Sequence, residues 1–258
     1  MRIVDCFVHP VVLPNEQALV AIDAASLQAD LPTIAEEMSA LKVDRALLAL
    51  FKPEFYADAQ RTSAERFDVS PLADFRDRDA LKRLRDLAES GVRSISFHPY
   101  LQDLSRDAWP AALAYAREAA RLGMFICVCT AYGSRSIYHI EVLPFATAVA
   151  EAVECPVVFA HCGGAKVIDA MLVAHAYPNV FMETSFSLSY WLGSSVEIDM
   201  AYAMRQLGVG RWLFGSDAPF VPMAKALDDH FRFFERHGFG DAAIEAIMGG
   251  NASKQLGI

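Results

Sequence analysis

Histidine, cysteine and carboxylate side chains recur at one kind of place in this chain, the end of a short apolar run. His9 closes the first such run, His98 a later one, and Cys129 and His161 two more. Glu183 with Ser185, and then Ser216-Asp217, close the last two. Imidazole titrates near neutrality and serves as acid, base or metal ligand. A carboxylate takes protons from water or binds cations, and zinc accepts sulfur, nitrogen and oxygen donors. A lone histidine in such a place is most often structural, so the weight lies in the set. Together these groups have the chemistry to activate water, to polarise a carbonyl, or to hold one divalent ion.

They meet only if the runs that carry them are parallel strands. The strand candidates are 2–9, 43–51, 67–73, 91–98, 123–129, 156–161, 179–184 and 211–216. Between them lie stretches with apolar residues at helical spacing: 31–38, 79–89, 108–122, 143–153 and 165–175. Eight strands alternating with helices imply βαβ units, and eight closes a (β/α)8 TIM barrel, expected here as one α/β domain over 1–258. An open doubly wound sheet also alternates. Against it, no Gly-x-Gly-x-x-Gly follows the first strand, and a closing helix follows the eighth. The polar segment 52–66 reads as a loop after strand two. Barrel enzymes carry their chemistry at the carboxyl ends of the strands, where the set above falls.

Composition narrows the classes. With 54% hydrophobic and 21% charged residues, the 258-residue chain has enough apolar content for a substantial core. A net charge of −9 lacks the basic footprint of a nucleic-acid binder. No apolar stretch reaches the ~18 residues of a spanning helix. Arg2-Ile3-Val4 already belongs to the first strand, so no secretory leader and no membrane partner are expected. Five cysteines (6, 127, 129, 155 and 162), mostly in apolar runs, suggest reduced thiols and a cytoplasmic protein. The expected partner is a small-molecule substrate. Apolar residues at 186–200 (Phe186, Leu188, Tyr190, Trp191, Leu192) are expected to be exposed and would also suit a homodimer contact.

The ordered strand ends resemble those of the amidohydrolase-related family of hydrolases and decarboxylases. Asp5-Cys-Phe7-Val-His9 is similar to a first strand that reads Asp-x-His-x-His, with Phe7 at its first histidine. Gly91 to His98-Pro99 resembles the fourth strand. Gly123 to Cys129-Thr130 resembles the fifth, where a histidine ligand stands at the place of Cys129. Phe159-Ala-His161-Cys-Gly163-Gly164 is similar to a sixth strand ending His-x-Gly-Gly, and Asn179 to Ser185 to the seventh. Leu213-Phe-Gly-Ser-Asp217-Ala-Pro219-Phe220 closely resembles the eighth, and Gly250-Asn251-Ala252 the last helix.

The resemblance implies hydrolysis or nonoxidative decarboxylation of a small, often carboxylated compound. It implies one divalent metal, zinc by preference, that lowers the pKa of bound water toward ~7. His9 and Asp217 would be retained ligands and His161 the general acid/base. Two of four usual ligand positions differ, Phe7 and Cys129. Either His9, Cys129 and Asp217 hold the metal with water, or the site works without one, as in lactonase-like members. Asp217 then activates water, the histidines polarise the carbonyl, and Phe7 is an apolar wall. A non-catalytic barrel that binds a small ligand is a further reading. An unrelated aldolase or isomerase barrel would want a lysine at a strand end, and none stands there.

Other residues carry paired readings. His98 is either a substrate contact or a backbone-bonded histidine. Tyr132, Arg135 and Tyr138 follow strand five and could reach the pocket mouth, Arg135 to anchor a carboxylate. Trp191 could line the pocket after strand seven. Asp217 could instead cap a helix. Asp5, expected to share a face with Phe7 and His9, suits a structural hydrogen-bonding role, and Cys127 interior filler. His139, His175, His230 and His237 read as surface residues.

Overall fold

The structure, a computed structural model, describes residues 1–10, 24–50, 66–132 and 136–258. Each of the eight apolar runs contains one strand: β1 (Val4–Val8), β2 (Arg45–Leu50), β3 (Phe67–Pro71), β4 (Ser94–Phe97), β5 (Phe125–Cys129), β6 (Val157–Ala160), β7 (Val180–Glu183) and β8 (Trp212–Leu213). They are almost wholly buried, as strands covered on both faces must be. All pairings are parallel, in a β1-β2-β3 sheet and a β4-β5-β6-β7-β8 sheet.

Two seams close these sheets into a (β/α)8 barrel. Leu72 bridges Ser96 on one side and Val8 bridges Ala218 on the other. At the first seam Ala73 N–H donates to Ser96 O (2.8 Å), and the Ser70 and Ser96 hydroxyls lie 2.7 Å apart. At the second, Cys6 N–H reaches Phe214 O, Asp217 N–H reaches Phe7 O, and His9 N–H reaches Ala218 O, at 2.8–2.9 Å. This second seam explains why β8 stops at Leu213, short of the expected 216: residues 214–218 have turned from β7 to bond β1.

Helices follow the strands as α1 (Ala24–Leu41), α2 (Ala80–Glu89), α3 (Trp109–Arg121), α4 (Val142–Ala152), α5 (Val167–Ala176), α6 (Ser187–Trp191), α7 (Ser195–Leu207), α8 (Met223–Arg236), α9 (Asp241–Glu245) and α10 (Asn251–Gln255). The helix expected at 165–175 starts at Val167, because residues 161–166 form a tight turn. The expected loop at 52–66 lies, but for Arg66, outside the described residues.

Burial sorts the side chains into two shells. Ile126, Val128, Val157, Phe159, Val180 and Met182 face the helices, within one large cluster. Val4, Cys6, Leu47, Phe125, Cys127, Val158, Phe181 and Leu213 fill the barrel interior. Phe7, Ala49 and Ala160 form a layer of their own. The β1 register shifts between Asp5 and Val8, so simple alternation does not run through this strand. Cys6 as well as Phe7 therefore packs inward, contrary to the alternation read from sequence.

Candidate active site

His161 ends β6 in a left-handed turn. His161, Cys162, Gly163 and Gly164 all have positive φ, at 66°, 43°, 82° and 55°. Such backbone is costly for residues bearing a Cβ and persists only where neighbours hold it. Glu183 of β7, Ser187 of α6 and Thr130 just past β5 supply the hold. Glu183 Oε2 accepts His161 N–H (3.1 Å), and Ser187 Oγ donates to His161 O (2.7 Å). Thr130 Oγ1 accepts Gly163 N–H (2.8 Å). The imidazole is fixed as well, since Nδ1 lies 3.1 Å from Ser185 O and 3.0 Å from Ser185 Oγ. That hydroxyl donates in turn to Glu183 Oε2 (2.6 Å). Burial pushes the His161 pKa down, so the ring is neutral at neutral pH.

Across the β8–β1 seam, His9 Nε2 stands 3.6 Å from Asp217 Oδ1, both side chains nearly buried. Asp217 also has positive φ (66°). It does not cap the next helix, which begins at Met223 with Pro222 before it. Beneath the pair, Asp5 Oδ1 accepts Ser216 N–H (2.9 Å) and Phe7 N–H (3.2 Å), the structural role expected of it. Asp5 Oδ2 is buried with no hydrogen-bond partner among the described residues, and burial raises this carboxyl to about 7.

His98 ends β4 and joins the same group electrostatically, through His161, Asp217 and His9. Its Nδ1 accepts Leu101 N–H (3.2 Å) and its backbone N–H donates to Gln102 Oε1 (2.8 Å). Gln102 Nε2 donates to Ala73 O (2.6 Å), so Gln102 pins the end of β4 to the β3 side. Burial drives the His98 pKa down to about 3, with His161 adding to the effect. Gln102 carries no sequence signal beyond its place four residues after His98.

Two phenylalanines enclose His161. Phe7 meets its ring edge-on with centroids 4.9 Å apart, and Phe186 meets it edge-on at 6.3 Å. Phe186 stacks on Tyr190 (4.9 Å) and leans on Phe220 (5.6 Å), so the aromatic wall continues outward to exposed rings. Underneath, Glu183 occupies the barrel interior, where burial raises its carboxyl to about 8 against the hydrogen bonds from Ser185 and His161. Gly215 makes this possible, because a Cβ there would stand 2.0 Å from Glu183 Oε1.

The remaining candidates fall around this centre. Cys129 is buried at the end of β5, and Cys127 packs in the interior as expected. Tyr132 is half-buried under Lys166, whose Nζ lies 4.9 Å from its ring, while Tyr138 is almost fully exposed. Trp191 packs against the outer core and edge-on to Tyr190 (4.8 Å). Arg135 lies outside the described residues.

Three expectations need correction. His230 is not on the surface: it is buried, with Nδ1 2.7 Å from Ala226 O and Nε2 2.8 Å from Thr184 Oγ1. His237 is half-buried and pairs with Glu197 at 2.9 Å. In the stretch 186–200 Tyr190 is exposed as expected, but Leu188 is buried, Phe186 turns to His161, and Trp191 and Leu192 pack on the core. His139 and His175 are exposed, as expected.

A divalent metal centre of the kind implied by the resemblance does not fit the residues present. Among the described residues no three His, Cys, Asp or Glu side chains come together as a metal-holding group. Phe7, at the position of the first histidine of the resembled strand, has a ring that ligates nothing and packs edge-on against His161.

Comparison with known proteins agrees with this architecture. Residues 17–258 match the sequence model of the amidohydrolase family. No curated protein matches the sequence. An uncharacterized TIM-barrel protein from Bordetella bronchiseptica superposes with a TM-score of 0.77 at 16% identity, covering 100% of this chain and 99% of that one. A probable 2-pyrone-4,6-dicarboxylic acid hydrolase from Acinetobacter baumannii, with citric acid bound, gives 0.71 at 14%, covering 100% of both chains. The 5-carboxyvanillate decarboxylase of Sphingomonas paucimobilis gives 0.67 at 17%, covering 100% and 99%. At these identities the likeness is one of fold. No described helix is long and apolar enough to cross a membrane.

Proposed function

The chain belongs to the amidohydrolase family, and from that membership and the strand-end geometry we propose that it is a metal-independent hydrolase of a small organic ester or lactone. The observation that carries this reading is the approach of His9 to Asp217 at 3.6 Å beside a neutral, anchored His161. Asp217 takes a proton from water as its oxygen attacks the substrate carbonyl carbon, giving a tetrahedral oxyanion. His98 and His9 face that charge as it develops. The C–O bond then breaks, and the leaving oxygen takes back the proton. Positioned acid–base groups of this kind contribute roughly 10²- to 10⁴-fold, and preorganised donors to the oxyanion about 10²- to 10³-fold each.

A second reading is nonoxidative decarboxylation, favoured by the aromatic wall of Phe7 and Phe186 around His161. An apolar wall penalises a substrate carboxylate more than the carbon dioxide it releases. Both reactions have named precedents among the fold neighbours, a probable hydrolase and a decarboxylase.

One experiment separates them. Lactones, aryl esters and aryl carboxylates are turned over in H₂¹⁸O with and without chelator. Hydrolysis places ¹⁸O in the product carboxylate, is lost in Asp217→Asn and is indifferent to chelator. Release of carbon dioxide without ¹⁸O uptake selects the second reading. A rate that chelator abolishes and zinc restores overturns the metal-independent one.

A further inference from the structure

The two histidines on the β4 and β6 ends meet backbone groups of opposite character. His161 Nδ1 faces the carbonyl oxygen of Ser185 at 3.1 Å. A carbonyl only accepts, and a ring lone pair pointed at it would be repelled, so the proton of the neutral ring sits on Nδ1. The Ser185 hydroxyl agrees: its proton goes to Glu183 Oε2, leaving its lone pair to accept from the same Nδ1–H. His98 Nδ1 instead faces the amide N–H of Leu101 at 3.2 Å. An amide nitrogen only donates, so this Nδ1 carries the lone pair and the proton sits on Nε2.

We propose that the backbone locks His161 and His98 in opposite tautomers, so that His161 offers a lone pair at Nε2 and His98 offers an N–H at Nε2. Burial that disfavours both imidazolium forms keeps the two rings neutral, which makes the tautomer decisive. The pair then divides the work as neutral rings: His161 Nε2 accepts a hydrogen bond, while His98 Nε2 donates one. In the roles given it above, which rest on the hydrolase reading, His98 is the electrophilic residue for the carbonyl oxygen. The substrate class that suits the pair places a carbonyl oxygen toward β4, with the water that Asp217 deprotonates giving its other hydrogen to His161 Nε2 in a hydrogen bond. Ser185 and Leu101 act through their backbone and are positioning residues, with Gln102 holding the β4 turn in place.

The tautomers are readable without any substrate. Long-range ¹H–¹⁵N spectra of ¹⁵N-histidine protein at pH 7, assigned by losses in His98→Gln and His161→Gln, distinguish Nδ1–H from Nε2–H rings. The expected result is Nδ1–H for His161 and Nε2–H for His98. Ser185→Ala removes the hydroxyl and keeps the carbonyl, so His161 is expected to stay Nδ1–H in that variant. The same tautomer on both rings, a mixture on either, or an imidazolium at pH 7 overturns the proposal. Because the spectra need no turnover, their failure and failure of the hydrolase reading are separate results.

Discussion

The Phe7 ring stands edge-on to the His161 imidazole, with centroids 4.9 Å apart, and thereby fills the interior where β1 faces β6. It is buried with Ala49 and Ala160, both too small to replace it. Phe7→Ala is therefore expected to lower stability by about 3–5 kcal/mol, the usual cost of deleting a buried phenylalanine. Urea unfolding measures this, and a loss below about 1 kcal/mol would show that the ring packs on nothing.

Glu183 gives a pH dependence. Its folded pKa of about 8 lies above its ordinary value of 4.5, so between those values the folded protein holds a proton that the unfolded chain has lost. This group's contribution is complete below the unfolded value and is lost as pH rises through the folded one. Stability is expected to fall from pH 5 to 8, and Glu183→Gln to flatten the fall. An unchanged slope in that variant would assign the effect elsewhere.

His230 acts in the opposite sense. Burial lowers its pKa from 6.5 to about 4, so the unfolded chain binds the extra proton between those values. Stability is expected to drop as pH falls from 6.5 to 4, by on the order of 3 kcal/mol for this group. His230→Gln should reduce that acid loss, read as the shift in urea midpoint between pH 7 and pH 4.5.

Gly215 and Glu183 should couple. Alanine at 215 would drive a Cβ to 2.0 Å from Glu183 Oε1, and overpacking of this kind costs about 1–3 kcal/mol. In a double-mutant cycle Gly215→Ala should lose much of its cost when Glu183 is already Ala. Strict additivity would mean that the two residues do not touch.

Much of this was legible in the sequence. All eight strands fall inside the apolar runs, because strands buried on both faces leave long hydrophobic signatures. His9, His98, His161 and Asp217 end those runs, and the structure brings them to one centre. His230 was also legible and was misread. It shares the helical stripe of Ala226, Leu227, Phe233 and Phe234, which marks the buried face of α8. Gln102, Thr184 and Ser187 were not legible, since their roles depend on backbone groups brought close only by folding. The shift within β1 was likewise hidden, because a run apolar throughout looks the same with or without it.

His9 and Asp217 lie near opposite ends of the sequence and touch only across the seam that joins the first strand to the last. Bringing them together carries the full entropic cost of closing nearly the whole chain into a ring. Their pairing is therefore expected late in folding, after the local βαβ units have formed. A nascent chain that has emerged only as far as β7 already holds three of the four polar groups, yet has no acid to set beside His9. The site thus arises only once the eighth strand and the turn behind it have arrived.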